Sequence, residues 1–331
     1  KQIQSFDFGR LRWLVAGLSV VLLLLTTTIF VLFPRVGVFN IGALQRRVGM
    51  VPKNVSLKDP VRGAAEQTSV IARLTGLSEA MFDRGLYLRA SVYDALSPDG
   101  FFRSELLPES PSGFMSPASD MSPSLYQVYM QPVAENRLLT LGAIETVRVL
   151  QSTLPGIDLR ISNFETKRTG EVVLQQFVSG PLKYEVRGTV ATPGNRQWKR
   201  LLRGSADTAT STLEHYLKLP LISESKIRAL AERLVAADLE AYAKVDRIKT
   251  FLQNEFSYTL EQPNVTKVNA LEAFLFEDRR GHCEYFATAF AALLRASGIP
   301  SRVVGGFYGG TWDDQDQVAV MMAKDAHAWV E

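Results

Sequence analysis

From Trp13 to Phe33 the chain runs 21 residues without a charge, WLVAGLSVVLLLLTTTIFVLF. At about 1.5 Å per residue a helix of that length covers roughly 31 Å, the thickness of a bilayer's hydrocarbon core. Trp13 marks one edge as an interfacial anchor, and Pro34-Arg35 closes the other. The run is too long for the apolar region of a signal peptide, and PRVGVFN offers no small-x-small cleavage site. The pattern therefore predicts a transmembrane helix over 13–33, with 1–12 as its flank. Lys1, Arg10 and Arg12 precede it, and Arg35, Arg46, Arg47 and Lys53 follow, so the charges do not fix its orientation.

Beyond the span, 34–80 mixes basic and polar residues and reads as a juxtamembrane segment. From Leu86 to Leu96, and again over 126–200, short runs such as YQVYM, TVRVL and LKYEVRGTV combine β-branched and aromatic residues with alternation. They predict a β-rich domain across 80–203. Within it lies a long loop over 97–124, rich in Ser and holding Pro98, Pro108, Pro111, Pro117 and Pro123. A polar connector, 204–220, follows. The period then turns helical: Ile227, Leu230 and Leu234 follow Ser223 as an N-cap, and Tyr242, Val245, Ile248, Leu252 and Phe256 repeat the stripe. A short third helix holds Leu271, Phe274 and Leu275. Thus 221–331 reads as an α+β domain that begins with helices.

Composition narrows the function. Apolar residues make up 46% and charged residues 21%, which excludes a disordered chain. Lys plus Arg is 37 against 34 for Asp plus Glu, a net +3 too even for nucleic acid to be the main partner. One cysteine excludes an internal disulfide and any multi-thiolate zinc or iron–sulfur site. The chain starts without Met and stops at Glu331 inside an apolar run, and reads as a piece of a longer polypeptide.

The chemistry concentrates in Arg279-Arg280-Gly281-His282-Cys283-Glu284-Tyr285-Phe286-Ala287. Gly281 suits a loop turning into a helix. Phe286, Phe290, Leu293 and Leu294 continue an apolar face from Cys283, and Gly298 with Pro300 predicts the helix end. The only cysteine thus falls in the first turn of a mostly buried helix. Unpaired amide donors and the macrodipole there favour a thiolate and can hold an oxyanion. The opposing reading is that a lone cysteine is a small buried hydrophobe. A base must come from three histidines. His215 reads as exposed, in the polar connector. His282 adjoins the cysteine, so its side chain points elsewhere. His327, in the alternating run AHAWVE, sits on a strand able to reach the helix start. His282, Cys283, Asp325 and His327 include possible metal ligands, but adjacent His and Cys rarely converge on one ion, so no metal site is expected.

GHCEYFATAFAALLRASGIPSRVVGGF followed by DAHAWVE closely resembles the transglutaminase-like core, a branch of the papain-like cysteine enzymes. With FLFEDRRGHCE and the helices before it, the chain is similar to the bacterial membrane-anchored transglutaminase-like proteins of the TgpA type. The resemblance implies a helical part packed on an antiparallel sheet, with Cys283 as nucleophile at a helix N-terminus and His327 as base. The orienting aspartate of the triad would lie beyond Glu331. Asp325 does not hold that position, and Asp313, Asp314 and Asp316 fall in a polar turn. Further membrane helices would flank the soluble region, with 13–33 the last of the first set. The catalytic domain would face outside the cytoplasm from the bacterial inner membrane.

The implied reaction is acyl transfer through a thioester, from a glutamine or amide of a protein or peptide to a lysine, another amine or water, without a cofactor. A cysteine peptidase or amidase of the same fold, or a non-catalytic binding module, stand as alternatives. Around the cleft, the Cys283 amide, His282, Tyr308 and Trp312 are the oxyanion or rim candidates. Glu284 reads as a favourable first-turn charge, Arg279 and Arg280 as surface residues, and Trp329 as packing.

Overall fold

Strands form here where buried apolar residues alternate with outward polar ones. Leu182, Tyr184 and Val186 turn inward, while Lys183, Glu185 and Arg187 turn out. The computed structural model describes residues 17, 19, 68–97, 100–102, 123–131, 137–152, 164–166, 170–174, 180–190, 214–220, 223–237, 239–261 and 270–331. Residues 17 and 19 are helical, and the rest of the predicted span 13–33 lies outside the described residues. Among the described residues no helix is long and apolar enough to cross a membrane. Most of the Pro-rich loop 97–124 and of the connector 204–220 also lies outside them.

The principal strands are β1 (Val70–Thr75), β2 (Tyr87–Tyr93), β3 (Ser124–Met130), β4 (Thr140–Leu141), β5 (Ala143–Ser152), β6 (Leu182–Thr189), β7 (Val303–Tyr308), β8 (Thr311–Asp313), β9 (Val318–Met322) and β10 (Ala326–Val330). A six-stranded sheet runs β8-β9-β1-β3-β6-β5, and a four-stranded sheet runs β10-β7-β2-β4. Both are antiparallel throughout. Register pairs buried with buried: Tyr184 faces Val128 and Val186 faces Tyr126.

Two pairings join distant parts of the sequence. Arg73 of β1 lies opposite Val320 of β9, and Tyr93 of β2 opposite Val303 of β7. The β-rich stretch and the Cys283 region therefore share both sheets. β1 itself falls inside the segment read as juxtamembrane. Its run VIARLT buries Ile71, Ala72 and Leu74 and sends only Arg73 fully to solvent, a pattern too apolar to read as alternation.

Three helices of more than ten residues complete the body, α1 (Glu224–Leu234), α2 (Ala241–Glu255) and α3 (Cys283–Ala296), and a shorter helical segment over 270–278 precedes α3. Ile227, Leu230, Ile248, Leu252 and Phe256 are buried, as the helical stripes predict. Ser223 occupies the N-cap of α1, yet its hydroxyl donates to Glu272 at 3.1 Å instead of capping. α3 is the hub. Ala287 and Ala291 lie in the apolar cluster of the sheets, while Ala289, Ala292, Leu293 and Leu294 lie in that of the helices. Alanines on the sheet side let the helix approach the strands closely. Gly298, at φ +81°, ends it as predicted, and Ile299 N–H donates back to Leu294 at 2.9 Å.

Buried arginines tie this assembly together. Arg295 donates to the carbonyls of Asp94, Lys218 and Ser301 at 2.7–2.9 Å. Glu331 receives Arg89 and Arg302 at 2.8 Å each, and the two guanidinium groups hold its carboxyl down to about 2 despite burial. Removing one partner of a buried pair leaves an uncompensated charge. Glu331→Gln is expected to lower unfolding free energy at neutral pH by about 3–5 kcal/mol in urea titrations. A carboxyl depressed on folding stabilises above the ordinary carboxylate range and loses that contribution as pH falls toward its folded value. The acid limb of the stability profile is therefore expected to flatten in the variant.

Candidate active site

The approach to Cys283 is set by backbone geometry. Arg279 closes the preceding helical segment in the left-handed region, φ 50°. Arg280–Gly281 then pairs in parallel with Ser257–Tyr258. Ser257 N–H donates to Arg279 and Thr259 N–H to Gly281, both at 2.9 Å. Gly281 was expected to supply an unusual conformation, but its φ is not positive. What requires glycine is space, because a Cβ would lie 2.8 Å from the Tyr285 ring. His282 is the N-cap residue of α3, and Cys283 opens the first turn.

Cys283 is half-buried and free. Burial and the neighbouring Glu284 push its thiol up to about 11, while the amides of Ala328, Glu284 and Cys283 pull the other way. The helix terminus was expected to favour a thiolate, and at rest desolvation outweighs it. The Ala328 amide at the sulfur is the informative contact. Ala328 follows His327 in β10, so the strand brings the histidine's neighbour to the Cys283 sulfur. Burial lowers the His327 imidazole below its ordinary range, toward the neutral form that can accept a proton.

The other predicted residues fall as follows. Tyr308 lies beside His327 with ring centroids 5.5 Å apart. Tyr87 extends the group, 4.4 Å from Tyr308 and 5.1 Å from Trp329. Trp312 packs on Phe82 at 5.6 Å, and its buried indole N–H has no hydrogen-bond partner among the described residues. His282 is buried, edge-on to Tyr285 at 5.0 Å, and desolvation pushes it down to about 4. His215 corrects the exposed reading: its side chain is only 20% exposed, with Nε2 3.1 Å from the buried Asp94 carboxylate. Asp325 accepts from the Met322 amide at 2.7 Å. Asp313 accepts from the Gln315 and Asp316 amides in the polar turn, where Asp314 and Asp316 are exposed. Arg279 pairs at the surface with Glu255. Among the described residues no three His, Cys, Asp or Glu side chains are grouped to hold a metal ion.

Two participants escaped the sequence reading. One is the Ala328 amide, since side-chain identity carries no mark of a backbone donor. The other is Tyr258, whose hydroxyl accepts from the Cys283 amide. Only its parallel pairing with Gly281 brings it there, and a two-residue bridge leaves no periodic signal.

Residues 228–331 match the model of the transglutaminase-like superfamily, and residues 2–195 match that of the TgpA N-terminal domain. The chain therefore belongs to the transglutaminase-like proteins. Within them it is of the TgpA type, whose N-terminal domain model covers more than half of it. A protein-glutamine gamma-glutamyltransferase of Pseudomonas aeruginosa is 33% identical over 208 residues, 62% of this chain and 27% of that protein. The uncharacterized protein YebA of Bacillus subtilis is 30% identical over 125 residues, 36% of this chain and 17% of that protein. The chain thus spans about a quarter or less of the length of these relatives. Its fold is similar to the periplasmic domain of TgpA from Pseudomonas aeruginosa bound to ethylmercury, with a TM-score of 0.61 and 23% identity, covering 85% of this chain and 91% of that one.

The site makes a specific forecast for thiol chemistry. Alkylation of Cys283 by iodoacetamide is expected to be slow at neutral pH and to keep rising toward pH 11, the thiolate being the reactive form. Glu284→Gln, which removes a negative neighbour of the sulfur, is expected to move the profile to lower pH, read as labelling rate against pH by mass spectrometry.

Proposed function

We propose that this chain carries the acyl-transfer centre of a membrane-anchored transglutaminase-like enzyme whose catalytic domain lies in the periplasm. The observation that carries the reading is the Cys283 sulfur held in the first turn of α3 against the amide that follows His327. The name of the Pseudomonas relative and the periplasmic origin of the structural neighbour support it.

With thiol and imidazole both neutral at rest, attack proceeds by general-base catalysis. His327 takes the Cys283 proton as the sulfur adds to the carboxamide carbon of a protein-bound glutamine. The developing oxyanion takes over the Cys283 N–H that the Tyr258 hydroxyl holds at rest, and a low-dielectric site strengthens that hydrogen bond. Imidazolium returns the proton to the leaving ammonia, and a thioester remains. A primary amine such as a lysine side chain then resolves it to an isopeptide, or water resolves it to glutamate. The aspartate that orients the imidazole is assigned to the strand after Glu331 by family pattern.

A second reading has one observation in its favour. A thiol pushed up by burial is also what a binding module with a structural cysteine would hold. The test uses the full chain in its membrane, a glutamine-bearing protein and a fluorescent primary amine. Cys283→Ala is expected to reduce both ammonia release and amine incorporation by roughly 10³-fold or more with thermal unfolding unchanged. His327→Asn is expected to do the same. Activity retained in the alanine variant overturns the reading. Ammonia release without amine incorporation in the parent chain assigns an amidase instead.

A further inference from the structure

Among the described residues, Glu284 is a buried carboxyl without a matching cation. Its side chain is 12% exposed, and its Oε2 is buried with no hydrogen-bond partner among the described residues. Among the described residues its ion-pair neighbour is His282 Nδ1, 4.0 Å away and beyond hydrogen-bond reach. That imidazole is itself neutral, because burial lowers it. A carboxylate taken out of water without compensation is costly, and a purely structural site would satisfy it or replace it. The usual benefit of an acidic first-turn residue needs no burial at all.

The position of this carboxyl is informative. Glu284 follows Cys283 in the first turn of α3, and Tyr258 pairs with Gly281 just before it, so the three residues meet at the start of that helix. Tyr258 is 61% exposed, with its ring 6.2 Å from that of Phe286. A buried carboxyl that ionises as a cation approaches, with an open aromatic ring beside it, makes a receptor for an ammonium group.

Resting on the acyl-transfer reading above, we infer that Glu284, with Tyr258 beside it, receives the amine that resolves the Cys283 thioester and removes its first proton. An alkyl amine arrives as an ammonium and cannot attack until it is deprotonated. Glu284 takes that proton and becomes a neutral acid. The free amine adds to the thioester carbonyl, forming the C–N bond, and passes its second proton to His327. The C–S bond breaks, and His327 returns that proton to the sulfur, regenerating the thiol. Glu284 releases its proton to water. The balance is thioester plus ammonium giving amide, thiol and one proton. Burial pushes the Glu284 carboxyl up to about 8, closer to an alkyl ammonium than an ordinary carboxylate is, so the transfer is less uphill. The approaching positive charge favours the ionised carboxylate needed to begin.

The experiment compares two nucleophiles in one reaction with a glutamine-bearing protein and the full chain. A dansylated pentylamine is an ammonium at neutral pH, whereas hydroxylamine is uncharged and needs no such base. In Glu284→Gln the ratio of alkylamide to hydroxamate product is expected to fall roughly tenfold, equivalent to about 1.4 kcal/mol. Because both products drain the same thioester, a change in acylation rate or folded fraction cancels from the ratio. Tyr258→Leu, at an exposed position, is expected to lower the ratio in the same direction and decides the matter if the first variant does not fold. An unchanged ratio overturns the inference while acyl transfer stands. A parent chain that forms neither product nor glutamate overturns the acyl-transfer reading itself.

Discussion

One carboxylate holds three parts of the four-stranded sheet in register. Glu331 follows β10, and its two oxygens receive Arg89 from β2 and Arg302 from the entry to β7. The same residue exchanges both backbone hydrogen bonds with Arg302. Charge pairs this deep are stable only when every partner is present, which makes the arrangement unforgiving of slippage. The consequence reaches the site directly. β10 is the strand that brings the Ala328 amide to the sulfur, so an anchor at its end fixes the height at which strand and helix meet.

At the sulfur two effects oppose each other, and their sizes decide the resting state. A helix N-terminus favours a negative group by typically 0.3–1 kcal/mol, up to about 2 in partly buried geometries. Burial and Glu284 outweigh the three amides that pull the other way, and leave the thiol pushed up to about 11. Desolvation wins, and Cys283 rests as a thiol. On the proposed acyl-transfer reading, such a site is activated by the proton acceptor and by the polar groups of a bound substrate rather than by a standing thiolate–imidazolium pair.

The sequence displayed faces better than partners. The stripes of α1 and α2 and the alternation of β6 identified which side of each element is buried, and Gly298 marked the end of α3. The tandem of GHCE and AHAW was sufficient to single out one helix start and one strand. Pairing was not legible, because alternation specifies the buried face of a strand without specifying its neighbour. That is why VIARLT was absorbed into a juxtamembrane segment and why the β-rich stretch read as separate. His215 misled for a related reason: a polar connector looks solvated until Asp94, from a distant strand end, is brought beneath it. Tyr258 depended on a two-residue bridge that no pattern announces.

The shared sheets also bear on how the chain is made. β1 and β2 leave the ribosome more than two hundred residues before β7 and β9, their partners. At about 5–20 residues per second, that delay lasts on the order of ten seconds or longer. Through that interval the early strands present unpaired edges, the kind of surface that invites wrong pairing. Synthesis therefore imposes a waiting period that a self-contained N-terminal domain would not have. During it, whatever shields those edges governs the yield of folded protein.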